Sequence, residues 1–472
     1  MKKGLRNVAI GFSLSIIGLS FGLVYWQVAR SAELMDNPAN RRLILMEQRV
    51  VRGGIFDRNG EVLAQTEVKE DEKTRIYPKG EALEPLIGYA TLLRGSSGLE
   101  AHLGDWLLGI KDATAEQTLE QVFQLPRQGN DVVLTLDYGL QKVAYEGLKG
   151  KIGSAVAIDP RNGEVLALVS QPGFDGNTVD EDWENISKKP GSPFLNHAFA
   201  LYTPGSTLKV MTSAALLRAG LDTSDLYHCT GTAIINGQVI REQNDKAHGW
   251  VNYNLALAES CNTYFATYGV QAGDKYFLEA AKSFGFGQEI PFELPVKRST
   301  LTNEEAVPSR MDDNLLAASA FGQGEVLVSP FHMALITAGI ANQGVIMKPH
   351  IVDQVMDENQ NVLYIKKPEP WLTPLSSQEA ERIKSAMVTA VNEGTAAPGG
   401  IAGFQVAAKT GSAEPGGNVR THAWYIAFAP ADNPQIAVAV LVENGGTGGG
   451  ASAPIARAII ETALRQKAGD NS

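Results

Sequence analysis

The chain has 472 residues, enough for two or three domains of ordinary size, and 44% of them are hydrophobic and 20% charged, as in globular proteins. Its 41 basic and 52 acidic residues give a net charge of −11, and no long basic cluster occurs, which argues against nucleic acid as a partner. Cys229 and Cys261 are too few for a disulfide framework and lack the paired spacing of a common zinc site.

The first predicted element is a membrane-spanning helix. Residues 7–29 carry no charged side chain, and about 20 apolar residues are enough to cross the hydrocarbon core of a bilayer. Lys2, Lys3 and Arg6 precede this run, and basic residues favour the cytoplasmic side. We therefore predict that residues 1–30 form a short cytoplasmic tail and a single-pass anchor in the cell membrane, with the rest of the chain on the extracytoplasmic face.

A cleaved signal peptide is the alternative reading of this segment. The apolar run is longer than the core of about 7 to 15 residues that a signal peptide has, and its end offers a poor cleavage site. Without Lys2, Lys3 and Arg6 the chain has 38 basic and 52 acidic residues, so the predicted outer part carries a net charge of −14.

Residues 31–148 are predicted to form a small, mostly β domain. Short apolar runs alternate with turns there, and residues 53–64 have the pattern of a strand, an Asn-Gly turn and a second strand. A similar hairpin pattern around Asn162-Gly163 begins a second predicted domain, residues 149–468.

The second domain is predicted to be α+β. Its helical patterns cover residues 206–217, 255–268, 330–342, 377–392 and 453–465. Its closing strand candidates are residues 404–408, 424–429 and 436–442. Because strands lie at both ends with helices between them, we expect the terminal segments to share one antiparallel sheet.

The first candidate for chemistry is Ser206, followed three residues later by Lys209. The serine falls at the predicted start of a helix, where its hydroxyl would meet the positive end of the helix dipole, and Lys209 would lie one turn away on the same face. A desolvated lysine there could accept the serine proton as a general base. A serine at this position is also a common helix N-cap, so the pair needs support from elsewhere.

Two further motifs carry polar groups in apolar surroundings. Ser260-Cys261-Asn262 interrupts a predominantly buried pattern, in which a hydroxyl and a carboxamide need partners. The tetrapeptide 409–412, Lys-Thr-Gly-Ser, closes a strand candidate and places a cation and two hydroxyls beside a glycine that lets another backbone approach.

The three motifs, in this order, resemble those of the penicillin-binding proteins and serine β-lactamases. Further segments are similar to class B penicillin-binding proteins with a short pedestal, of Gram-positive type. These segments are residues 52–64, 75–78, 87–89, 97–100, 321–324, 340–344, 393–396 and 423–430. Ala408 and Ser412 depart mildly from the family pattern, in which Gly and Thr are common. The resemblance implies a pedestal domain at 31–148 and a β-lactamase-like transpeptidase domain at 149–468, with an antiparallel sheet flanked by helices.

The resemblance also implies roles for the motif residues in D,D-transpeptidation. Ser206 would attack the penultimate D-Ala of a stem peptide ending in D-Ala-D-Ala, with Lys209 as its base. Ser260 would relay a proton to the leaving nitrogen, and Asn262 would bind the substrate amide and Lys209. An amine of a neighbouring stem peptide would then take the acyl group.

Substrate binding is expected along the Lys-Thr-Gly-Ser segment. Lys409, Thr410, Gly411 and Ser412 would hold the terminal carboxylate and the extended peptide, and the backbone N–H groups of Ser206 and Ser412 would form the oxyanion hole. The implied partners are peptidoglycan stem peptides, β-lactam antibiotics and a SEDS-type membrane glycosyltransferase. The resemblance requires no metal or organic cofactor.

Other functions remain open at this level. A D,D-carboxypeptidase or a β-lactamase would hydrolyse the acyl-enzyme, but no convincing Glu-x-x-Leu-Asn segment follows Asn262. A catalytically idle scaffold or a β-lactam sensor is disfavoured by the intact Ser206, Lys209 and Lys409. Cys229 and Cys261 could form a disulfide in an exported domain.

Overall fold

The computed structural model describes residues 2–26, 30, 50–70, 72–111, 127–414 and 419–469. The helices are α1 (Lys2–Val24), α2 (Gly98–His102), α3 (Gly104–Leu107), α4 (Tyr138–Leu148), α5 (Val179–Lys188), α6 (Lys209–Arg218), α7 (Tyr253–Ala258), α8 (Asn262–Ala272), α9 (Asp274–Ser283), α10 (Asp313–Ala320), α11 (Pro330–Ala341), α12 (Ser377–Asn392), α13 (Gly448–Ala451) and α14 (Ala453–Gly469).

The strands are β1 (Val50–Val51), β2 (Ile55–Phe56), β3 (Val62–Lys69), β4 (Glu72–Ile76), β5 (Ala90–Thr91), β6 (Gly95–Ser96), β7 (Arg127–Gln128), β8 (Asp131–Leu134), β9 (Gly153–Ile158), β10 (Val165–Gln171), β11 (Tyr227–Cys229), β12 (Thr232–Ile235), β13 (Gln238–Arg241), β14 (Gly249–Val251), β15 (Ile346–Met347), β16 (Val352–Met356), β17 (Val362–Ile365), β18 (Pro370–Leu372), β19 (Ala407–Ala413), β20 (His422–Ala429) and β21 (Ile436–Val442).

Helix α1 is long and apolar enough to cross a membrane, and its side chains beyond Lys2 are exposed on the protein. Its α-helical part ends at Val24, Tyr25 and Trp26 continue it with π-helix geometry, and the predicted end near residue 29 lies outside the described residues. Residues 27–29 and 31–49 lie outside the described part of the chain, as do 112–126 of the predicted pedestal domain.

The core of the molecule is a five-stranded antiparallel sheet in the order β10-β9-β21-β20-β19. The sequence of strand β21 is apolar throughout because both faces of the strand are buried. Ala437, Ala439 and Leu441 pack in the cluster that contains α11, and Val438 and Val440 pack in the cluster that contains α14. The expectation that the two ends of the domain share one sheet is confirmed.

The second large sheet has six strands in the order β17-β16-β8-β2-β3-β4. Strands β2, β3, β4 and β8 come from the predicted pedestal region, whereas β16 and β17 come from residues 352–365, far along the chain. Helix α4, which ends at residue 148, packs its Leu140, Ala144 and Leu148 against the five-stranded sheet. The packing therefore links the two regions across the predicted boundary at residues 148 and 149.

Two predicted elements are wrong in detail. The helix expected over residues 255–268 is interrupted by Glu259, Ser260 and Cys261, which separate α7 from α8. The strand expected over residues 404–408 runs instead from Ala407 to Ala413, so the Lys-Thr-Gly-Ser segment lies within it. Both differences concern motif residues, and they set the geometry of the site.

Candidate active site

Ser206 lies in a 3₁₀ turn, Gly205–Leu208, that precedes α6, and its side chain is partly exposed. The predicted helix start at the serine is therefore a tighter turn, with regular α-helix beginning at Lys209. Gly205 has a positive φ of 55° and donates its N–H to the carbonyl of Gly322 at 2.9 Å. A Cβ on Gly205 would lie 2.9 Å from the Ser412 carbonyl oxygen. The nucleophile turn thus packs directly against β19.

Lys209 is fully buried beneath this turn. Its Nζ donates to the Ser260 carbonyl oxygen at 2.6 Å and to Asn262 Oδ1 at 2.7 Å, and lies 3.4 Å from Ser260 Oγ. Burial lowers the pKa of Lys209 from 10.5 to about 8, although the nearby Glu242 carboxylate acts in the opposite direction. A substantial fraction of the amine is therefore neutral near pH 8 and able to accept a proton.

Ser260 occupies the break between α7 and α8 with a φ of 62°, a conformation that a non-glycine residue adopts at a cost of about 1 to 3 kcal/mol. Its Oγ accepts a hydrogen bond from Lys409 Nζ at 2.8 Å, in addition to the longer contact with Lys209. Because both lysines approach as donors, the hydroxyl hydrogen of Ser260 is directed away from them. The strained turn places this hydroxyl between two amines.

Strand β19 is an edge strand, so one side of its backbone is open to pairing with an extended chain. Lys409 is fully buried and also donates to the Thr410 carbonyl oxygen at 2.9 Å. Burial, followed by the charge of Lys209, holds the pKa of Lys409 well below its usual value. Thr410 Oγ1 lies 2.7 Å from Thr395 Oγ1, a partner to which the sequence patterns assign no role.

Gly411 shows why a glycine is needed in the middle of this strand. A Cβ there would lie 3.0 Å from both the Pro204 carbonyl oxygen and Thr207 Cγ2. The strand and the Ser206 turn are therefore in close contact at this residue. Trp424 Nε1 adds a hydrogen bond to the Thr203 carbonyl oxygen at 3.0 Å, which ties the same turn to β20.

Glu242 is a buried residue that sequence reasoning missed. Its carboxylate accepts hydrogen bonds from the backbone N–H of Asn262 at 2.8 Å and of Thr263 at 2.7 Å, the first two residues of α8. It therefore caps α8 from a distant part of the chain and fixes the orientation of the Ser260–Asn262 turn. No local pattern indicates this role, because the capping side chain lies 20 residues before the first residue of the helix.

Two kinds of contact bring the predicted site residues together in the structure. Hydrogen bonds join Lys209, Ser260, Asn262 and Lys409. Backbone packing brings the Ser206 turn against β19, which carries residues 409–412. This is an arrangement of the Ser206 and Ser260 hydroxyls, two buried amines and a strand edge.

Comparison with known proteins gives a family for this arrangement. Residues 153–461 match the penicillin binding protein transpeptidase domain, and residues 52–132 match the penicillin binding protein A dimerisation domain. The chain belongs to the penicillin-binding protein family. The resemblance drawn from the three motifs is confirmed.

Several relatives of this penicillin-binding protein match it over most of its length. The peptidoglycan D,D-transpeptidase PbpA of Mycolicibacterium smegmatis is 34% identical, covering 99% of this chain and 100% of the relative. The peptidoglycan D,D-transpeptidase MrdA of Acinetobacter baumannii is 29% identical, covering 81% of this chain and 65% of the relative. The structure of penicillin-binding protein A from M. tuberculosis, as a ceftriaxone acyl-enzyme complex, matches with a TM-score of 0.83 and 31% identity, covering 89% of this chain and 100% of that one.

Proposed function

We propose that this penicillin-binding protein is a peptidoglycan D,D-transpeptidase that acts through an acyl-enzyme on Ser206. The observation that carries the proposal is the buried Lys209, whose pKa of about 8 and hydrogen bonds to the Ser260–Asn262 turn suit a general base beneath the nucleophile. The names of the relatives with which it shares nearly its whole length support the same activity.

In the acylation step, Ser206 Oγ attacks the carbonyl carbon of the penultimate D-Ala while neutral Lys209 takes the hydroxyl proton. The backbone N–H groups of Ser206 and Ser412 stabilise the developing oxyanion. The C–N bond to the terminal D-Ala then breaks, and Ser260 passes a proton to the leaving nitrogen. In the second step an amine of a neighbouring stem peptide attacks the ester, and Ser206 regains its proton.

Substrate recognition rests on the edge strand. The donor peptide lies along β19, and Lys409, Thr410 and Ser412 hold its terminal carboxylate, with Gly411 keeping the strand close to the nucleophile. A carboxylate brought next to Lys409 favours the protonated amine, which offsets the effect of burial on its pKa. Asn262 is close enough to Lys209 to hold both the lysine and the substrate amide.

The composition of the N-terminal segment supports a position for the enzyme relative to the membrane. Helix α1 anchors the protein as a single span, and Lys2, Lys3 and Arg6 keep the N-terminus in the cytoplasm, so the transpeptidase region works on the outer face. The described residues contribute the transpeptidase and pedestal regions, and a separate glycan polymerase of the SEDS type supplies the strands that are crosslinked.

Labelling with a fluorescent penicillin tests the proposal. The wild type should acquire one stable covalent label per chain, and Ser206→Ala should acquire none while keeping its thermal unfolding temperature. The control is Ser187→Ala, which removes an exposed hydroxyl that donates to the Glu184 carbonyl oxygen within α5, and it should be labelled as the wild type is. Absence of label on folded wild type would refute the proposed enzymatic activity. Rapid loss of the label would indicate hydrolysis of the acyl-enzyme instead of transfer.

A further inference from the structure

A group of four side chains unused by the proposed mechanism lies behind the Ser260–Asn262 turn. Cys229 ends β11, Glu242 follows β13, His248 precedes β14, and Cys261 precedes α8. One ligand atom from each of the four lies within 4.8 Å of every other. Two thiols, an imidazole and a carboxylate are a donor set that occurs in protein zinc sites.

The separations between these atoms are close to those between the ligand atoms of a tetrahedral zinc ion. Zinc bonds of about 2.3 Å to sulfur and about 2.0 to 2.1 Å to nitrogen or oxygen place neighbouring donors about 3.3 to 3.8 Å apart. Cys229 Sγ lies 3.5 Å from His248 Nδ1 and 3.7 Å from Glu242 Oε1, and Cys261 Sγ lies 3.2 Å from Glu242 Oε1. His248 Nδ1 and Glu242 Oε2 are 3.9 Å apart.

The four side chains are also shielded from solvent and oriented by neighbouring groups. Both cysteines are fully buried, and the side chains of Glu242 and His248 are 2% and 7% exposed. The Thr263 hydroxyl contacts Cys229 Sγ at 3.4 Å, and the Asn262 and Thr263 N–H groups orient the Glu242 carboxylate. Such outer contacts orient the ligands of metal sites, and a closed set of four protein ligands is typical of a structural zinc site.

We propose that Cys229, Glu242, His248 and Cys261 bind one Zn²⁺ ion. Binding displaces the two thiol protons into solvent, and the carboxylate and the imidazole nitrogen bind without a change in oxidation state. The ion joins the small β11–β14 ribbon to the start of α8.

The ion has a structural consequence for the catalytic turn. A two-stranded ribbon is marginally stable by itself, and β11 with β14 forms such a ribbon outside the two large sheets. Cys261 lies between Ser260 and Asn262, so a metal bond to its sulfur restrains the backbone on which both residues are held. Zn²⁺ thus acts as a positioning element for the site, away from the reacting atoms.

A disulfide between Cys229 and Cys261 is the competing use of these thiols. Both cysteines are free in the structure. A disulfide makes no bond to Glu242 or His248, whereas a metal ion binds all four side chains. Intact mass separates the two, because a disulfide lowers the mass of the chain by two hydrogen atoms.

The test measures metal content and a spectroscopic signature on the full chain in detergent. Wild type purified under reducing conditions should contain about one zinc ion per chain, and after chelation it should take up one Co²⁺ with the charge-transfer absorption of cobalt–thiolate bonds. Cys229→Ser and His248→Gln should each bind the metal ion more weakly than wild type. The loss of affinity should exceed the roughly 10- to 100-fold that follows when a residue that only orients a metal ligand is replaced. His228→Gln and Glu259→Gln are matched controls outside the group and should bind as wild type does.

The result is decisive even where a variant fails to fold, because the cobalt titration is done on the wild type. A folded, reduced wild type that takes up no Zn²⁺ or Co²⁺, or that binds Co²⁺ without thiolate absorption, overturns the proposal, as does a quantitative disulfide. Penicillin labelling of Ser206 is read separately. Labelling should fall on chelation and return with Zn²⁺, whereas a chain that binds zinc but is never labelled refutes the proposed function and leaves the metal site standing.

Discussion

At the scale of single residues, the protonation of Lys209 should control the rate of acylation. The neutral amine is the base, so the second-order rate of labelling by a fluorescent penicillin should rise with pH and level off above an apparent pKa near 8. Below that pH the lysine is protonated and cannot accept the Ser206 proton. The measurement is a series of labelling rates between about pH 6 and pH 10, corrected for hydrolysis of the free penicillin.

Lys209→Arg is the informative variant for this profile. A guanidinium stays protonated throughout the range, so labelling should be reduced by several orders of magnitude and should lose the rising limb near pH 8. A wild-type rate that stays constant or falls between pH 6 and pH 9 would contradict the assignment of Lys209 as the base.

Short sequence motifs reveal the residues that carry out the chemistry of a site more readily than the residues that hold them in position. Ser206, Lys209, Ser260 and Lys409 are recognisable because each stands in a contiguous motif whose spacing reflects one turn or one strand. Glu242 is not, because its contact with the start of α8 is made through the fold.

The proposed zinc ligands give no sequence signal for the same reason. They are spread from residue 229 to residue 261 without a short paired spacing, and three of them lie at or directly beside the ends of small strands. The sequence patterns indicate no metal, since only the folded chain brings these side chains together.

At the scale of elements, periodicity locates most helices and strands but misses the break at Ser260. Apolar residues continue on both sides of it because α7 and α8 are both packed in the core, so the helical pattern shows no gap. The positive φ of Ser260 depends on its tertiary contacts with two lysines and cannot be read from the local sequence.

The pedestal offers a test of stability at this scale. Glu100 is fully buried, and its carboxylate is 2.6 Å from Arg52 Nε and 2.6 Å from Arg75 Nε. Glu100→Gln removes the buried carboxylate that both guanidinium groups contact, so the free energy of unfolding should fall by about 3 to 5 kcal/mol. Thermal and denaturant unfolding of the full chain measure this change.

The loss of unfolding free energy caused by Glu100→Gln should depend on pH in a defined direction. Burial acts to raise the pKa of Glu100, but the charges and hydrogen bonds of Arg75 and Arg52 outweigh it and hold that pKa below the usual 4.5. The ion pairs therefore stabilise the fold above about pH 4.5, and the difference between wild type and Glu100→Gln should shrink as pH falls through the folded-state pKa. Glu184→Gln removes an exposed ion pair with Lys188 and should change stability by less than about 1 kcal/mol. Equal effects of the two substitutions would contradict the stabilising role of the buried Glu100 ion pairs.

At the scale of the whole molecule, the two sheets are interlocked. Strand β8 pairs with β2 on one side and with β16 on the other, so Leu134 lies opposite Val352. A pairing between residues more than 200 positions apart leaves no local signal, which is why the sequence suggests two consecutive domains divided at residues 148 and 149.

A chain that begins at residue 149 should therefore fold poorly. It loses α4, whose Leu140, Ala144 and Leu148 cover apolar residues of the five-stranded sheet, and it exposes the backbone edge of β16 that pairs with β8. Unpaired strand edges and uncovered apolar surface promote aggregation. Yield, size-exclusion profile and penicillin labelling measure the outcome.

A chain that begins at residue 31 is the matched control for this truncation. It also lacks the membrane helix but keeps α4 and all the strands of the six-stranded sheet. We expect it to be monomeric or a defined oligomer, to unfold cooperatively and to be labelled at Ser206 at the rate of the full chain, because the site draws on residues 203–425. If the chain from residue 149 matched it in unfolding temperature and labelling rate, the pedestal strands would not be required for the fold of the transpeptidase region. The interlocked sheet would then be a contact between two independently stable units, and the boundary read from the sequence would be a physical one.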